Sequence, residues 1–93
     1  MVSKVKASHI LLKSETEAGS LAFDIRRNTI KFEDAARKFS TCPSGKKGGD
    51  LGWFGKGQMV KEFEQAAFSM QKGEMKVVKS PFGWHIIRID DVK

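Results

Sequence analysis

The chain has a single cysteine, no apolar run near the length of a membrane span, and no apolar segment of signal type behind Met1-Val-Ser-Lys-Val-Lys6. Each scarcity excludes something. One thiol closes no internal disulfide. Cys42 with His9 and His85 cannot furnish four cysteines, or two cysteines and two histidines, for a structural zinc site. Neither a metal nor a cofactor is expected, and the setting expected is reducing and cytoplasmic. The apolar runs Ile10-Leu11-Leu12 and Ile86-Ile87 are both flanked by polar residues. No repeat, linker or low-complexity tract divides the chain, so residues 1–93 read as one domain with one modest core.

The charge is lopsided but dispersed. Seventeen Lys and Arg against eleven Asp and Glu leave a net charge of +6. That excess raises anionic membrane or nucleic acid as weak partners of a basic surface. The cations occur as doublets (Arg26-Arg27, Arg37-Lys38, Lys46-Lys47) and singles, with no long basic run, so an ordinary solvated surface explains them as well.

Hydrophobic periodicity supplies the elements. Val5, Ala7, His9 and Leu11 alternate onto one face, the period of a strand. Ser14-Glu-Thr-Glu17 has the form of a capping box, followed by the helical stripe Ala18, Leu21, Ala22, Ile25. Phe32, Ala35, Ala36 and Phe39 form a second stripe. Phe63, Ala66, Ala67 and Met70 form a third, with Gly73 expected to close that helix. Between the second and third stripes, Cys42 to Gly57 holds six glycines and reads mostly as loop, with Leu51-Gly-Trp-Phe54 as a short strand. Lys76-Val-Val-Lys79 and Trp84-His-Ile-Ile-Arg-Ile89 are two further strands joined at Pro81-Phe-Gly83. The order β-α-α-β-α-β-β implies an α+β fold with a mainly antiparallel four-stranded sheet surrounded by helices.

Several motifs invite chemistry. The glycine-rich stretch does not fit a P-loop, because neither Gly45-Lys46 nor Gly55-Lys56 has a glycine five positions earlier or a hydroxyl residue after the lysine. Cys42 reads either as a nucleophile or as a small, partly buried residue. His9 and His85 both lie on strands among apolar neighbours, either as separate core residues or as rings that meet across adjacent central strands. Leu51, Met59 and Phe63, with Trp53 and Phe54 nearby, read either as core or, for Met59 at a loop edge, as the lining of a groove.

Five short motifs in order resemble the parvulins, a family of peptidyl-prolyl cis-trans isomerases. They are Ala7-Ser-His-Ile-Leu11, Phe39-Ser-Thr-Cys-Pro-Ser44 with Gly48-Gly-Asp-Leu-Gly52, Phe54-Gly-Lys-Gly-Gln-Met-Val60, Phe63-Glu-Gln-Ala-Ala-Phe68, and Phe82-Gly-Trp-His-Ile-Ile87. The resemblance runs essentially end to end and implies a parvulin/FKBP-like sheet wrapped by helices. It implies that His9 and His85 are the paired central histidines, that Cys42 occupies an active-site position, and that Ser80 is a hydroxyl beside the histidines. Leu51, Met59 and Phe63 would then seat the substrate proline, with Phe54 and Gln58 in support and Phe82 on the rim.

The resemblance further implies a monomeric isomerase that assists folding by acting non-covalently on proline-containing client segments. Phosphate-directed parvulins carry a long basic loop after the first strand. Lys13-Ser-Glu-Thr-Glu-Ala18 is short and acidic here, so unphosphorylated X-Pro is the expected substrate, with an apolar X among the options. Two competing classes stand beside this one: a peptide-binding chaperone module without turnover, and an electrostatic role at membrane or nucleic acid.

Overall fold

Alternation and helical spacing translate directly into elements. The computed structural model describes residues 2–93. Its elements run β1 (Val5–Leu12), α1 (Glu15–Arg26), α2 (Phe32–Phe39), a 3₁₀ turn (Pro43–Lys47), β2 (Asp50–Phe54), α3 (Lys61–Ser69), β3 (Met75–Ser80) and β4 (Gly83–Val92). The sheet order is β2-β1-β4-β3, and every neighbouring pair is antiparallel. The two central strands come from opposite ends of the described chain.

Side-chain alternation on those central strands divides the core into two layers. Val5, Ala7, Ile87 and Ile89 face α3 and pack with Phe54, Phe63, Ala67 and Met70. Ile10, Leu12 and Ile86 face the opposite way, onto Ala18 and Ala22 of α1 and Phe32, Ala35 and Ala36 of α2. Burying a large aliphatic side chain such as Ile10 or Ile87 contributes roughly 1.5–3 kcal/mol, and both are fully buried. The start of α1 follows its capping serine: Ser14 Oγ accepts the Glu17 N–H at 3.1 Å, with Glu15 and Glu17 in the first turn.

Three local expectations change. Phe39 is 45% exposed rather than buried on its stripe. It is the last residue of α2, and the chain turns extended at Ser40. The third helix stops at Ser69, before Gly73: Met70 is already extended, though its side chain is buried. Gly73 instead turns the chain at φ +88° and donates its N–H to Ile89 O at 2.8 Å. The last strand runs on to Val92, because Val5 pairs with Val92 and Lys4 and Lys93 continue the backbone bonding.

Candidate active site

His9 sits opposite Ile87, and Leu11 sits opposite His85. Directly opposed residues share a face, and so do residues two apart on one strand, so both imidazoles point to the α3 side as diagonal neighbours. Their Nδ1 atoms are 2.9 Å apart and the rings lie 18° from parallel. Both residues are about 95% buried, at 5% and 4% exposure. The meeting of the two rings, left open by periodicity, is a fact of the fold.

Each ring continues the contact outward. His9 Nε2 lies 3.1 Å from Ser44 Oγ, and the Ser44 hydroxyl donates to Cys42 Sγ at 3.4 Å. On the other side His85 Nε2 lies 2.6 Å from Ser80 Oγ, which accepts the Phe82 N–H at 3.1 Å. One set of protons satisfies every member. Ser80 O–H donates to His85 Nε2, His85 Nδ1–H to His9 Nδ1, His9 Nε2–H to Ser44 Oγ, and Ser44 O–H to Cys42 Sγ. The reverse order leaves the buried Ser80 proton without an acceptor among the described residues.

Electrostatics favour two neutral rings. Burial, with the neighbouring His85 as a smaller cause, pushes the His9 pKa down to about 4. Burial lowers that of His85 in the same sense. A charged ring here would lose hydration and face a second nitrogen at hydrogen-bonding distance.

The glycine-rich loop is what delivers Cys42 and Ser44. Ser40 Oγ accepts from Leu11 N and Cys42 N, while Thr41 N and Thr41 Oγ1 both donate to Leu11 O. Farther along, His9 N donates to Gly49 O and Gly49 N to Ser44 O, each at 2.9 Å. Gly49 has φ +85°, and a Cβ there would come within 2.4 Å of His9 O. Only glycine admits that approach. Ser44, which links Cys42 to His9, stands in the sequence as the last residue of the Phe39–Ser44 motif, with nothing to assign it a role.

The apolar wall rests on Phe63 of α3. Its ring stands edge-on to both imidazoles, at 5.5 Å from His9 and 5.4 Å from His85. Leu51, Met59 and Val60, partly buried, pack against the core cluster that contains Phe63. Phe54 is 3% exposed and backs Phe63 at 5.9 Å, so it supports the wall from within the core. Gln58 is exposed and its Oε1 accepts the Gly55 N–H at 2.6 Å, bracing the loop that carries Met59. Phe82 is 68% exposed at the turn above Ser80.

Three open clefts flank this assembly. The largest of three, about 380 Å³, is formed by α1 with Leu12 and Phe39. A polar cleft of about 280 Å³ lies at Lys6, Ser8, Arg88 and Asp90. Of these three, the one of about 320 Å³ reaches the site through Cys42. Leu51, Met59 and Phe63 thus form an apolar layer beside the buried polar chain.

Comparison with known proteins places this geometry. Residues 1–93 match the family model of the PPIC-type PPIASE domain. Foldase protein PrsA 1 of Bacillus cereus is 46% identical over 92 residues, covering 97% of this chain and 32% of the relative. A probable parvulin-type peptidyl-prolyl cis-trans isomerase of Bordetella bronchiseptica is 40% identical over 91 residues, covering 95% and 35%. The chain thus spans about a third of the length of these curated relatives. Among solved structures, PrsA of Bacillus anthracis superposes with a TM-score of 0.93 at 39% identity, over 99% of this chain and 43% of that one. NmPin, the parvulin of Nitrosopumilus maritimus, gives 0.83 at 44% identity over 94% and 95%. With a matching family model across its whole length, this chain belongs to the PPIC-type peptidyl-prolyl isomerase family, the parvulins.

Proposed function

We infer that the protein is a peptidyl-prolyl cis-trans isomerase that assists folding by turning unphosphorylated X-Pro bonds in client segments. The observation that carries this reading is the hydrogen-bonded chain Cys42–Ser44–His9–His85–Ser80, buried at His9, His85 and Ser80 and half-buried at Cys42 and Ser44, lying against Phe63 in a domain of this family. X-Pro isomerisation is slow, on the order of tens to hundreds of seconds, because twisting the amide abolishes its resonance. No covalent bond need form. The planar amide is the more charge-separated state, and water stabilises it. An apolar wall that strips water from the bond therefore favours the twisted state over the planar one.

In this reading Leu51, Met59 and Phe63 hold the proline ring while the preceding carbonyl swings. The chain of neutral rings fixes the wall's floor and holds Cys42 Sγ as a polarisable neighbour of that carbonyl. His9, His85 and Ser80 act as positioning residues, and Phe82 lies where a residue flanking proline would pass. The unit acts as a monomer, and its unpaired Cys42 supports a reducing, cytoplasmic setting. The short acidic segment Lys13–Ala18 supports an unphosphorylated X.

A protease-coupled assay or exchange NMR on a short Ala-Pro peptide tests the reading. Acceleration over buffer is expected. Binding without acceleration would establish the chaperone-module alternative in its place. The electrostatic alternative finds little support in the polar cleft, where Lys6, Lys47 and Arg88 are matched by Glu33, Asp50 and Asp90. Co-sedimentation with anionic vesicles or DNA at low salt checks it, and no binding is expected.

A further inference from the structure

The cleft beside Cys42 differs in charge from its two counterparts. The α1 cleft carries Glu17 and Asp24 with no cation, and the polar cleft balances three cations with three carboxylates. The third is lined by Arg37, Ser40, Thr41, Cys42, Pro43, Gly45 and Lys46, two cations and no carboxylate. Lys46 has no ion pair among the described residues. Arg37 pairs only with Asp34, at 3.2 Å and with both side chains more than half exposed, a contact of the kind worth little in water. Ser40 Oγ accepts two backbone N–H groups, which leaves its own proton uncommitted among the described residues.

We propose that this cleft is a second substrate subsite, which takes a carboxylate side chain of the client segment flanking the isomerised proline. The proposal rests on the isomerase reading, because Cys42 is the residue common to the cleft and to the prolyl site. A peptide whose proline lies on Phe63 and whose carbonyl passes Cys42 continues toward Arg37 and Lys46. An extended chain advances about 3.3 Å per residue, so a residue neighbouring one whose carbonyl lies at Cys42 comes within reach of a cleft that Cys42 itself lines. Ser40 and the two cations then supply a donor and two charges to an acceptor-only group. Selectivity for an acidic flank would distinguish clients without any phosphate-directed loop.

Exchange NMR on a neutral Ala-Pro peptide and on variants with Glu or Gln at each flanking position tests this. At low salt, Glu at one or two positions on one side of proline should raise kcat/KM about three- to fivefold over Gln. The gain should vanish near about 0.5 M salt. Arg37→Gln with Lys46→Gln should bring the Glu/Gln ratio to one. Arg27→Gln with Lys72→Gln, removing the same charge elsewhere, should preserve it. A ratio of one at every position in the wild type, or equal loss in both double variants, overturns the subsite. Amide shift changes at Thr41, Cys42 and Lys46 on titration with Glu and Gln peptides judge it independently of turnover. If no peptide is turned over, the isomerase reading fails, while larger shifts with Glu still establish the subsite and equal shifts remove it.

Discussion

His9 and His85, 76 residues apart, meet Nδ1 to Nδ1 at 2.9 Å across the two central strands. At that distance the two nitrogens cannot both carry protons without repulsion, so one ring donates and the other accepts. Ser80 and Ser44 at the far nitrogens decide the direction. A pair of histidines thus becomes a polarised, uncharged floor for a hydrophobic wall.

Acidification should destabilise the fold in a defined window. An unfolded histidine binds its proton near pH 6.5, but folded His9 does so only near about 4. Between those values the unfolded chain holds more protons, so stability rises with pH and falls as pH drops from about 6.5 toward about 4. The loss attributable to His9 is on the order of 3 kcal/mol, and His85 adds in the same direction. Denaturant midpoints across this range, with ring nitrogen shifts followed by NMR, check it. A His9 ring that charges at or above pH 6.5 contradicts the burial argument.

Two glycines at positive φ should respond very differently to alanine. Gly49→Ala places a Cβ 2.4 Å from His9 O at φ +85°, so the loop or β1 must move. Gly52→Ala at φ +69° meets nothing within 4 Å and incurs only the left-handed penalty, about 1–2 kcal/mol. Gly49→Ala is expected to lose more stability than Gly52→Ala and to shift the His9 ring signals. Equal effects would mean that the close approach is absent in solution.

Much of this arrangement was legible in the sequence for a physical reason. Strand parity places Val5, Ala7 and His9 on one face and His85, Ile87 and Ile89 on one face, and both faces are apolar. Two short apolar strands from opposite ends of a chain bury those faces most readily as neighbours. The resemblance then named Cys42 and Ser80, which periodicity alone left undecided. The Ser44 bridge was not legible, because a contact made through a glycine loop to a residue 35 positions away has no period. Phe39 and Gly73 misled because helix ends are set by tertiary contacts: α2 stops at Phe39 and α3 stops before Met70. Phe54 fitted both core and site in the sequence, and burial places it in the core.

The wall separates binding from stability. Phe63 is 2% exposed, so Phe63→Ala should cost about 3–5 kcal/mol in unfolding free energy as well as activity. Met59 is only partly buried, and Met59→Ala should cost about 1–2 kcal/mol at most while raising KM for Ala-Pro peptides. Paired denaturation and kinetics decide it. Unchanged KM in folded Met59→Ala would remove Met59 from the prolyl seat.

Cys42 and Ser44 separate a polarising role from a nucleophilic one. Cys42→Ser keeps an acceptor for the Ser44 hydroxyl, and a neutral hydrogen bond differs by about 1 kcal/mol, so turnover should stay within about tenfold of wild type. Ser44→Ala instead strands the His9 Nε2–H, which its buried ring cannot offer to solvent freely. That variant should lose about 1–3 kcal/mol of stability or flip the proton order through His9 and His85. The flip is visible as exchanged protonated and bare nitrogens in the ring spectra, a change that simple loosening of the loop does not produce. Abolished turnover in folded Cys42→Ser, with a covalent adduct trapped on the wild-type thiol, would establish attack by sulfur in place of the non-covalent twist.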